Sequence, residues 1–333
     1  MAGAMNAASS AARRVVGWLT EPVPRGRVAA FRTLVYLFVA GDLLFFTPWV
    51  RTHADVPGEL YQPLFVGRLL PLPTPTAALV YGIFWALLGL TLLAATGRAP
   101  RALGWAVFVL YFEWMIIAMS YGKVDHDRFA FLVALAVLPT AGRARHGDRT
   151  LTEAGGWALR VTQIAVVCTY FLAAWSKLRF GGLGWMTGSV LARAIIRRGT
   201  DLADAIATVP GLLIGAQIGI ITFELLSPLV FVLRGRWRYA AIGGLYGFHL
   251  VTIATITISF APHMVALTSF LPLERIRPIA WARSPGLAQR GRPQPPPSAG
   301  SAATEPSTTA HCRQDPLNSS KVGVSTRRRH PNS

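Results

Sequence analysis

The sequence predicts an all-α integral membrane bundle, and three observations support that class. Seven apolar stretches lie between residues 31 and 273, most of them close to the roughly 20 residues that cross a bilayer. Nearly all charges in this part of the chain fall between the stretches. Hydrophobic residues make up 52% of the 333 residues and charged residues 14%, which is typical of membrane proteins.

Only helices and closed barrels satisfy the backbone polar groups in lipid, and these stretches are too long and too continuously apolar for barrel strands. We therefore expect about eight transmembrane helices. In chain order they cover residues 31–47, 76–95, 102–119, 129–138, 157–175, 211–233 and 239–259, with a shorter crossing or re-entrant segment at 263–273.

The segments outside these helices complete the predicted organisation. Residues 1–26 are a cytoplasmic N-terminal segment and residues 27–277 the transmembrane domain. Within the long loop at 181–210, apolar residues recur at near-helical spacing between arginines, which predicts an amphipathic helix lying at the interface. Residues 278–333 are rich in Pro, Ser and Gly and carry a basic excess, a composition typical of a disordered tail.

The net charge of +18 lies mostly in short loops, and its distribution predicts the orientation. Arginines cluster before the first helix and in every second loop after it, which is the pattern of cytoplasmic loops. Both termini are therefore expected in the cytoplasm of a cell with this protein in its plasma membrane. Membrane lipids are the expected partners, nucleic acid is not expected, and the sequence identifies no protein partner. The two cysteines have no metal-type spacing, so no metal is predicted.

Three acids lie within the apolar stretches: Asp42, Glu113 and Glu224. An ionised carboxylate at the centre of a bilayer costs at least about 2.5 kcal/mol unless it is paired. The sequence favours structural pairing inside the bundle. A proton relay is the alternative, and Glu224 is its best candidate because Gln217 and Thr222 add polar groups to the same helix.

Four short elements resemble a known family. They are, in chain order, GDLL at 41–44, YFLAAWSKL at 170–178, Gly184–Trp185 with Gly188, and FH at 248–249 followed by FAPHM at 260–264. Together they resemble the HTTM (horizontally transferred transmembrane) family, the membrane-domain relatives of vitamin K-dependent γ-carboxylase. The resemblance spans about residues 27–273 and is most specific around the lysine of the second element.

The resemblance implies a set of site residues. In the carboxylase, a lysine of this element deprotonates vitamin K hydroquinone, and Lys177 stands at that position. His126 is the candidate for a histidine that serves the carboxylase site from the loop before the fourth helix, and His249 matches the histidine of the family's later FH element. Tyr170 and Trp185 are candidates for contacting a quinone cofactor. The chain departs from the family pattern because Ala replaces a Gly at 174, Ser replaces a second Lys at 176, and no large extracytoplasmic domain follows. These departures argue against peptide carboxylation of the animal kind, whereas a carboxylase-like or quinone-dependent membrane enzyme stays compatible with the resemblance.

The residues themselves are compatible with either a functional or a structural role. A lysine at the end of an apolar helix loses its proton more easily and can act as a base, or it can extend to the interface as an anchor. His126 is either an oriented base or a solvated loop residue, and His249 either a site residue or a bond between helices. If the residues are functional, we expect Lys177, His126 and His249 to line one cavity between the third, fifth and seventh helices, covered by residues 188–207. The alternative is a non-catalytic membrane partner or a transporter-like protein.

Overall fold

The computed structural model describes residues 2–70 and 72–276, and all of them belong to one compact unit. The tail predicted at 278–333 lies outside the described residues. Apart from one two-stranded pairing, the regular structure in the described part is helical, which confirms the all-α class. The α-helices there are α1 (Ala2–Leu19), α2 (Arg25–Gly41), α3 (Phe65–Leu69), α4 (Ala77–Ala95), α5 (Pro100–Ala118), α6 (Phe129–Val137), α7 (Glu153–Gly181), α8 (Gly184–Thr187), α9 (Val190–Arg198), α10 (Asp201–Ala207), α11 (Pro210–Leu226), α12 (Gly235–Ile256) and α13 (Ala261–Leu267).

Six of these helical segments in the described chain are long and apolar enough to cross a membrane. They are Arg25–Phe46, Ala77–Ala95, Pro100–Ala118, Glu153–Gly181, Gly211–Phe231 and Gly235–Ile256. Their outward faces carry large apolar side chains, such as Trp85 on α4 and Val251 on α12, which are 64% and 62% exposed. A helix that is apolar on its exposed face suits lipid rather than water. The chain is therefore a multi-pass integral membrane protein.

The two shorter predicted crossings form short helical segments. The fourth consists of α6 between two 3-10 turns, His126–Arg128 and Leu138–Ala141. The eighth consists of α13 and the adjoining 3-10 turn Thr268–Phe270. Whether either crosses the bilayer stays a prediction, and with it the count of eight.

Local sequence signals explain several helix ends. The Thr76, Thr152 and Thr200 hydroxyls accept hydrogen bonds from the backbone N–H groups at the starts of α4, α7 and α10, as threonine does at the N-cap. Pro100 begins α5, where its missing N–H has no helical partner to lose. The long loop at 181–210 forms α8, α9 and α10 instead of one continuous helix, with Gly199 between the last two.

Two short strands tie together two loops on one side of the bundle. Strands β1 (Val23–Pro24) and β2 (Leu151–Thr152) pair antiparallel, with Val23 opposite Thr152. The Arg25 N–H donates to the Thr150 carbonyl just beyond them. This pairing places the starts of α2 and α7 side by side.

The apolar core has two parts. In the first, α4 packs against both α2 and α5 around Phe31, Leu87 and Trp114. The second lies between α7, α12 and α13 and includes Tyr170 and Leu245. The principal cavity borders this second part.

Candidate functional site

A cavity of about 600 Å³ lies beside the second core cluster. Its wall contains residues of α7, α9, α11 and α12 together with the segments around 124–129 and 256–263. Lys177, His126 and His249 all line it, as do Tyr170 and Trp185. The remaining wall is mostly apolar and aromatic: Val124, Phe129, Leu172, Ala173, Val190, Leu191, Ala194, Ile220, Phe248, Ile256, Ile258 and Phe260.

The cavity wall differs from the predicted one at one helix. The fifth and seventh predicted helices, now α7 and α12, supply wall residues, and α9 from the predicted cover does so as well. The third predicted helix, now α5, supplies none, so that part of the expectation is wrong. Its place is taken by α11, because Glu224 and Ile220 on α11 face α7.

Lys177 and Glu224 form an ion pair at the cavity wall. The Lys177 ammonium donates to both carboxylate oxygens of Glu224, with Nζ 2.5 Å from Oε1 and 2.6 Å from Oε2. The Lys177 side chain is 24% exposed and the Glu224 side chain 5%. The ammonium also lies 5.1 Å from the centroid of the Trp185 ring, within the range of a cation–π contact. The lysine therefore points into the bundle and does not extend away from it.

Tyr170 and His249 form a second polar pair. The Tyr170 hydroxyl lies 2.6 Å from His249 Nε2, and both side chains are buried. The phenol and the imidazole can exchange donor and acceptor roles according to the tautomer. His249 Nδ1 has no partner among the described residues. His249 therefore lines the cavity while one of its imidazole nitrogens is buried without a partner among the described residues.

His263 is a site residue that the sequence analysis did not select. It lines the cavity, it is 1% exposed, and neither ring nitrogen has a hydrogen-bond partner among the described residues. Its ring centroid lies 4.8 Å from that of Tyr170 and 5.2 Å from that of His249. A buried unpaired polar group costs roughly 1–3 kcal/mol. Its place in the FAPHM element was the one sequence signal that could have identified it.

His126 approaches the cavity from the segment before α6. Its ring makes an edge contact with Phe260 at 5.9 Å between centroids, although part of its surface stays exposed. Desolvation and the nearby Lys177 ammonium hold the pKa of the His126 imidazole below its usual value, against the opposing charges of Glu224 and Asp125. This shift favours the neutral imidazole, which has a ring nitrogen that can accept a proton.

The three intramembrane acids have different surroundings. Asp42 is fully buried, and its carboxylate accepts hydrogen bonds from Arg128 at 2.5 Å and from the Tyr111 hydroxyl at 3.0 Å. Glu113 is half-buried and has no hydrogen-bond or ion-pair partner among the residues the structure describes. Only Glu224 belongs to the cavity, so the structure separates it from the other two.

A buried glutamine fixes the cover of the cavity to α11. Gln217 Oε1 accepts from the Leu191 N–H at 2.7 Å, and its Nε2 donates to the carbonyls of Met186 and Gly188 at 2.8 and 3.0 Å. The side chain thereby satisfies three backbone groups of segment 186–191, which runs from the end of α8 to the start of α9. This segment adjoins Trp185 on α8 and the wall residues of α9.

The fold and this cavity together define a class: a multi-pass membrane protein with an apolar chamber that contains one ion pair and three imidazoles. Comparison with family models, with curated proteins and with solved structures finds no match. The class therefore rests on the chain's own helices and cavity. No group of three or more His, Cys, Asp or Glu side chains in the described part of the chain is arranged to hold a metal ion.

Proposed function

We propose that this protein is a membrane enzyme of the HTTM type that carries out proton transfer on a quinone or a similar lipid-soluble ring in this cavity. The Lys177–Glu224 ion pair, placed at the wall of an apolar chamber between membrane helices, is the observation that carries the proposal. Ion pairs buried in lipid are costly and tend to mark functional sites. The resemblance around Lys177 supports the same ligand class.

The residues present fit a flat, apolar ring. Phe129, Phe248, Phe260 and Trp185 supply aromatic surfaces, and about 600 Å³ is within the range of small-molecule sites. The polar groups are few and converge, which is how an apolar pocket fixes the orientation of a ligand. A bound hydroquinone would supply acidic hydroxyl groups and, on oxidation, two electrons.

Lys177 and Glu224 would act as one acid–base unit. The Glu224 carboxylate accepts a proton at Oε1 or Oε2, while the Lys177 ammonium stays in place and stabilises negative charge developing on a ligand oxygen. The low polarity of the wall strengthens that stabilisation compared with water. The 24% exposure of Lys177 leaves the ammonium accessible from the cavity.

The imidazoles would provide the second proton site. The neutral form of His126, which its lowered pKa favours, accepts a proton at a ring nitrogen. The Tyr170–His249 pair can pass a proton between Oη and Nε2 because these atoms are 2.6 Å apart. Paired titratable groups around one cavity are what general acid–base catalysis requires.

Oxygen uptake by the full chain in detergent, with a reduced prenylated naphthoquinone as the probe, tests the proposal. Oxidation of the hydroquinone would consume one O₂ and release one quinone and one H₂O₂. We expect uptake that Lys177→Ala abolishes and that Arg179→Ala, which removes a cation of the same helix outside the cavity wall, leaves unchanged. Quinone binding without oxygen uptake in the wild type would favour the non-catalytic alternative. If the wild type shows no quinone binding and no oxygen uptake, the proposed ligand class is refuted.

A further inference from the structure

A second, smaller cavity of about 210 Å³ lies near the opposite end of α7. Arg160, in the second turn of α7, is separated from Lys177 by 17 positions, or roughly 25 Å along a helix axis. The cavity is lined by Arg27, Arg160 and Arg238 together with Glu21 and Gln163. It takes no part in the proposed proton chemistry.

Each of these three arginines lies near the N-terminal end of its helix. Arg27 lies in the first turn of α2, Arg160 in the second turn of α7 and Arg238 in the first turn of α12. The N-terminal ends of three helices therefore meet around the cavity. Each such end adds partial positive charge from the helix dipole.

Two of the three guanidinium groups are fixed by ion pairs. Arg27 makes a bidentate pair with Glu274, with N–O distances of 2.8 and 2.7 Å. Arg160 donates to Glu21 at 2.6 Å and to the Gln163 side-chain oxygen at 3.1 Å. The Arg160 guanidinium also lies 4.6 Å from the Trp18 ring centroid. Both groups keep N–H donors beyond those bonds, because a guanidinium has five.

Arg238 has no carboxylate partner among the described residues. Its Cζ lies 5.9 Å from the centroid of the Phe270 ring, and its charge repels that of Arg160. The cavity therefore keeps one excess positive charge after the two ion pairs are counted. A half-buried cation beside another cation is stabilised by a bound anion.

The backbone fixes the floor of this cavity. A Cβ at Gly156 would lie 2.0 Å from the Glu21 carbonyl oxygen, so only glycine permits the segment before β1 to lie this close to α7. Gln163 is buried, and its Nε2 donates to the Ser269 carbonyl at 2.8 Å. The donors of Arg27 and Arg160 are thus held in place before any ligand binds.

From this geometry we propose that the cavity of Arg27, Arg160 and Arg238 binds a phosphate group. Planar forked donors from several arginines match phosphate oxygens. The shared chemistry is that of an anionic lipid headgroup and of free phosphate. The cavity lies at the ends of membrane-spanning helices, and this position suits a headgroup because such ends lie at the level of the lipid phosphates.

The test uses the full chain in phosphatidylcholine-containing micelles and follows the melting temperature during titration with phosphatidylglycerol. We expect saturable stabilisation of the wild type and about tenfold weaker apparent affinity for Arg238→Gln, as for loss of one charge-assisted hydrogen bond. Arg236→Gln is the matched control, because Arg236 is exposed on the same helix and does not line the cavity. Arg238→Lys, which keeps the charge but not the fork, should fall between the two.

A parallel titration with inorganic phosphate separates the two sources. If inorganic phosphate raises the melting temperature and Arg238→Gln reduces that effect, the cavity is a free-anion site. If only phosphatidylglycerol raises the melting temperature, the cavity is a headgroup site. An equal loss of apparent affinity in Arg238→Gln and Arg236→Gln would overturn the proposal, because it would indicate general electrostatic attraction to the protein surface. Equal stabilisation by phosphatidylcholine and phosphatidylglycerol would overturn it as well.

Discussion

Arg128 and Asp42 form a closed ion pair inside the first core cluster, with Nη1 2.5 Å from Oδ1. The pair joins the segment before α6 to the end of the first span, and Tyr111 hydrogen-bonds to both partners. The Lys177–Glu224 pair differs from it because it lines a cavity. The Arg128–Asp42 pair is enclosed by protein, whereas the Lys177–Glu224 pair borders a space that a ligand could occupy.

Asp42→Asn should strongly destabilise the protein. It leaves the Arg128 guanidinium, which is 7% exposed, without its carboxylate, and breaking a buried pair costs about 3–5 kcal/mol. We expect a large fall in melting temperature in detergent. Glu113→Gln is the matched control, because Glu113 has no ion-pair partner among the described residues. Equal effects of the two substitutions would show that the Asp42 pair contributes no special stability.

Asp127 should make stability depend on pH. Burial, opposed mainly by the charge of Arg128, raises the pKa of the Asp127 carboxyl to about 6, above its unfolded value near 3.8. The folded state therefore binds the proton more tightly than the unfolded state. The resulting penalty is present in full above pH 6, shrinks as pH falls through 6, and is gone below 3.8.

Asp127→Asn removes this titration. The variant should melt above the wild type at pH 7.5, and the difference should narrow steadily towards pH 4.5. Parallel melting curves of the two proteins across that range would contradict the pKa assignment.

Accessibility to labels should follow the orientation predicted from the loop arginines. In a background without Cys168 and Cys312, single cysteines at Val124 and Ile196 should react with an impermeant maleimide added outside intact cells. Both positions are well exposed, at 58% and 84%, whereas Ile195 is buried and unsuitable. Cysteines at 145 and 236 should react only after permeabilisation. The reverse pattern would invert the predicted topology.

Gln217→Leu should loosen the cover of the cavity without unfolding the bundle. The substitution removes the three hydrogen bonds that hold segment 186–191, where α8 meets α9, and leaves a backbone N–H and two carbonyls without partners. We expect faster hydrogen exchange in residues 184–198 and an unchanged rate in α4. Thr222→Val is the control on the same helix. Unchanged exchange in the cover would show that other contacts hold it.

The sequence predicted the parts of this protein that depend on local pattern. Apolar length located the spans because lipid requires continuous apolar helices, and the lysine element located one wall of the cavity. The partner of Lys177 was not predictable, because Glu224 lies 47 positions away and only packing of α11 on α7 joins them. His263 was missed for a related reason. Its burial and its unpaired nitrogens result from the packing of three segments, which the sequence around it does not reveal.

The wrong wall assignment has a similar cause. Loop charge fixes which side of the membrane a residue occupies but not which helices are neighbours. The third predicted helix packs against α4 and α6 in the first cluster, and its Tyr111 serves the Asp42 pair instead. Neighbour relations of this kind arise from side-chain packing, which a single sequence does not specify.

The roles of Lys177 and Glu224 can be separated by a double-mutant cycle. Lys177→Met leaves Glu224 as an unpaired buried acid, and Glu224→Gln leaves an unpaired ammonium, so each single variant should lose stability. The loss should be below the roughly 3–5 kcal/mol of a fully buried pair, because the lysine is partly exposed. The double variant removes both charges and should recover much of the melting temperature, giving a coupling energy of the kind such cycles measure.

Activity should not recover together with stability. If the pair is the acid–base unit, hydroquinone-dependent oxygen uptake is lost in both single variants and stays lost in the double variant, although that protein folds and still binds the quinone. A merely structural pair predicts the opposite, because restoring the fold would then restore turnover. A double variant with wild-type uptake would therefore remove Lys177 and Glu224 from the chemistry and leave them as a bond between α7 and α11.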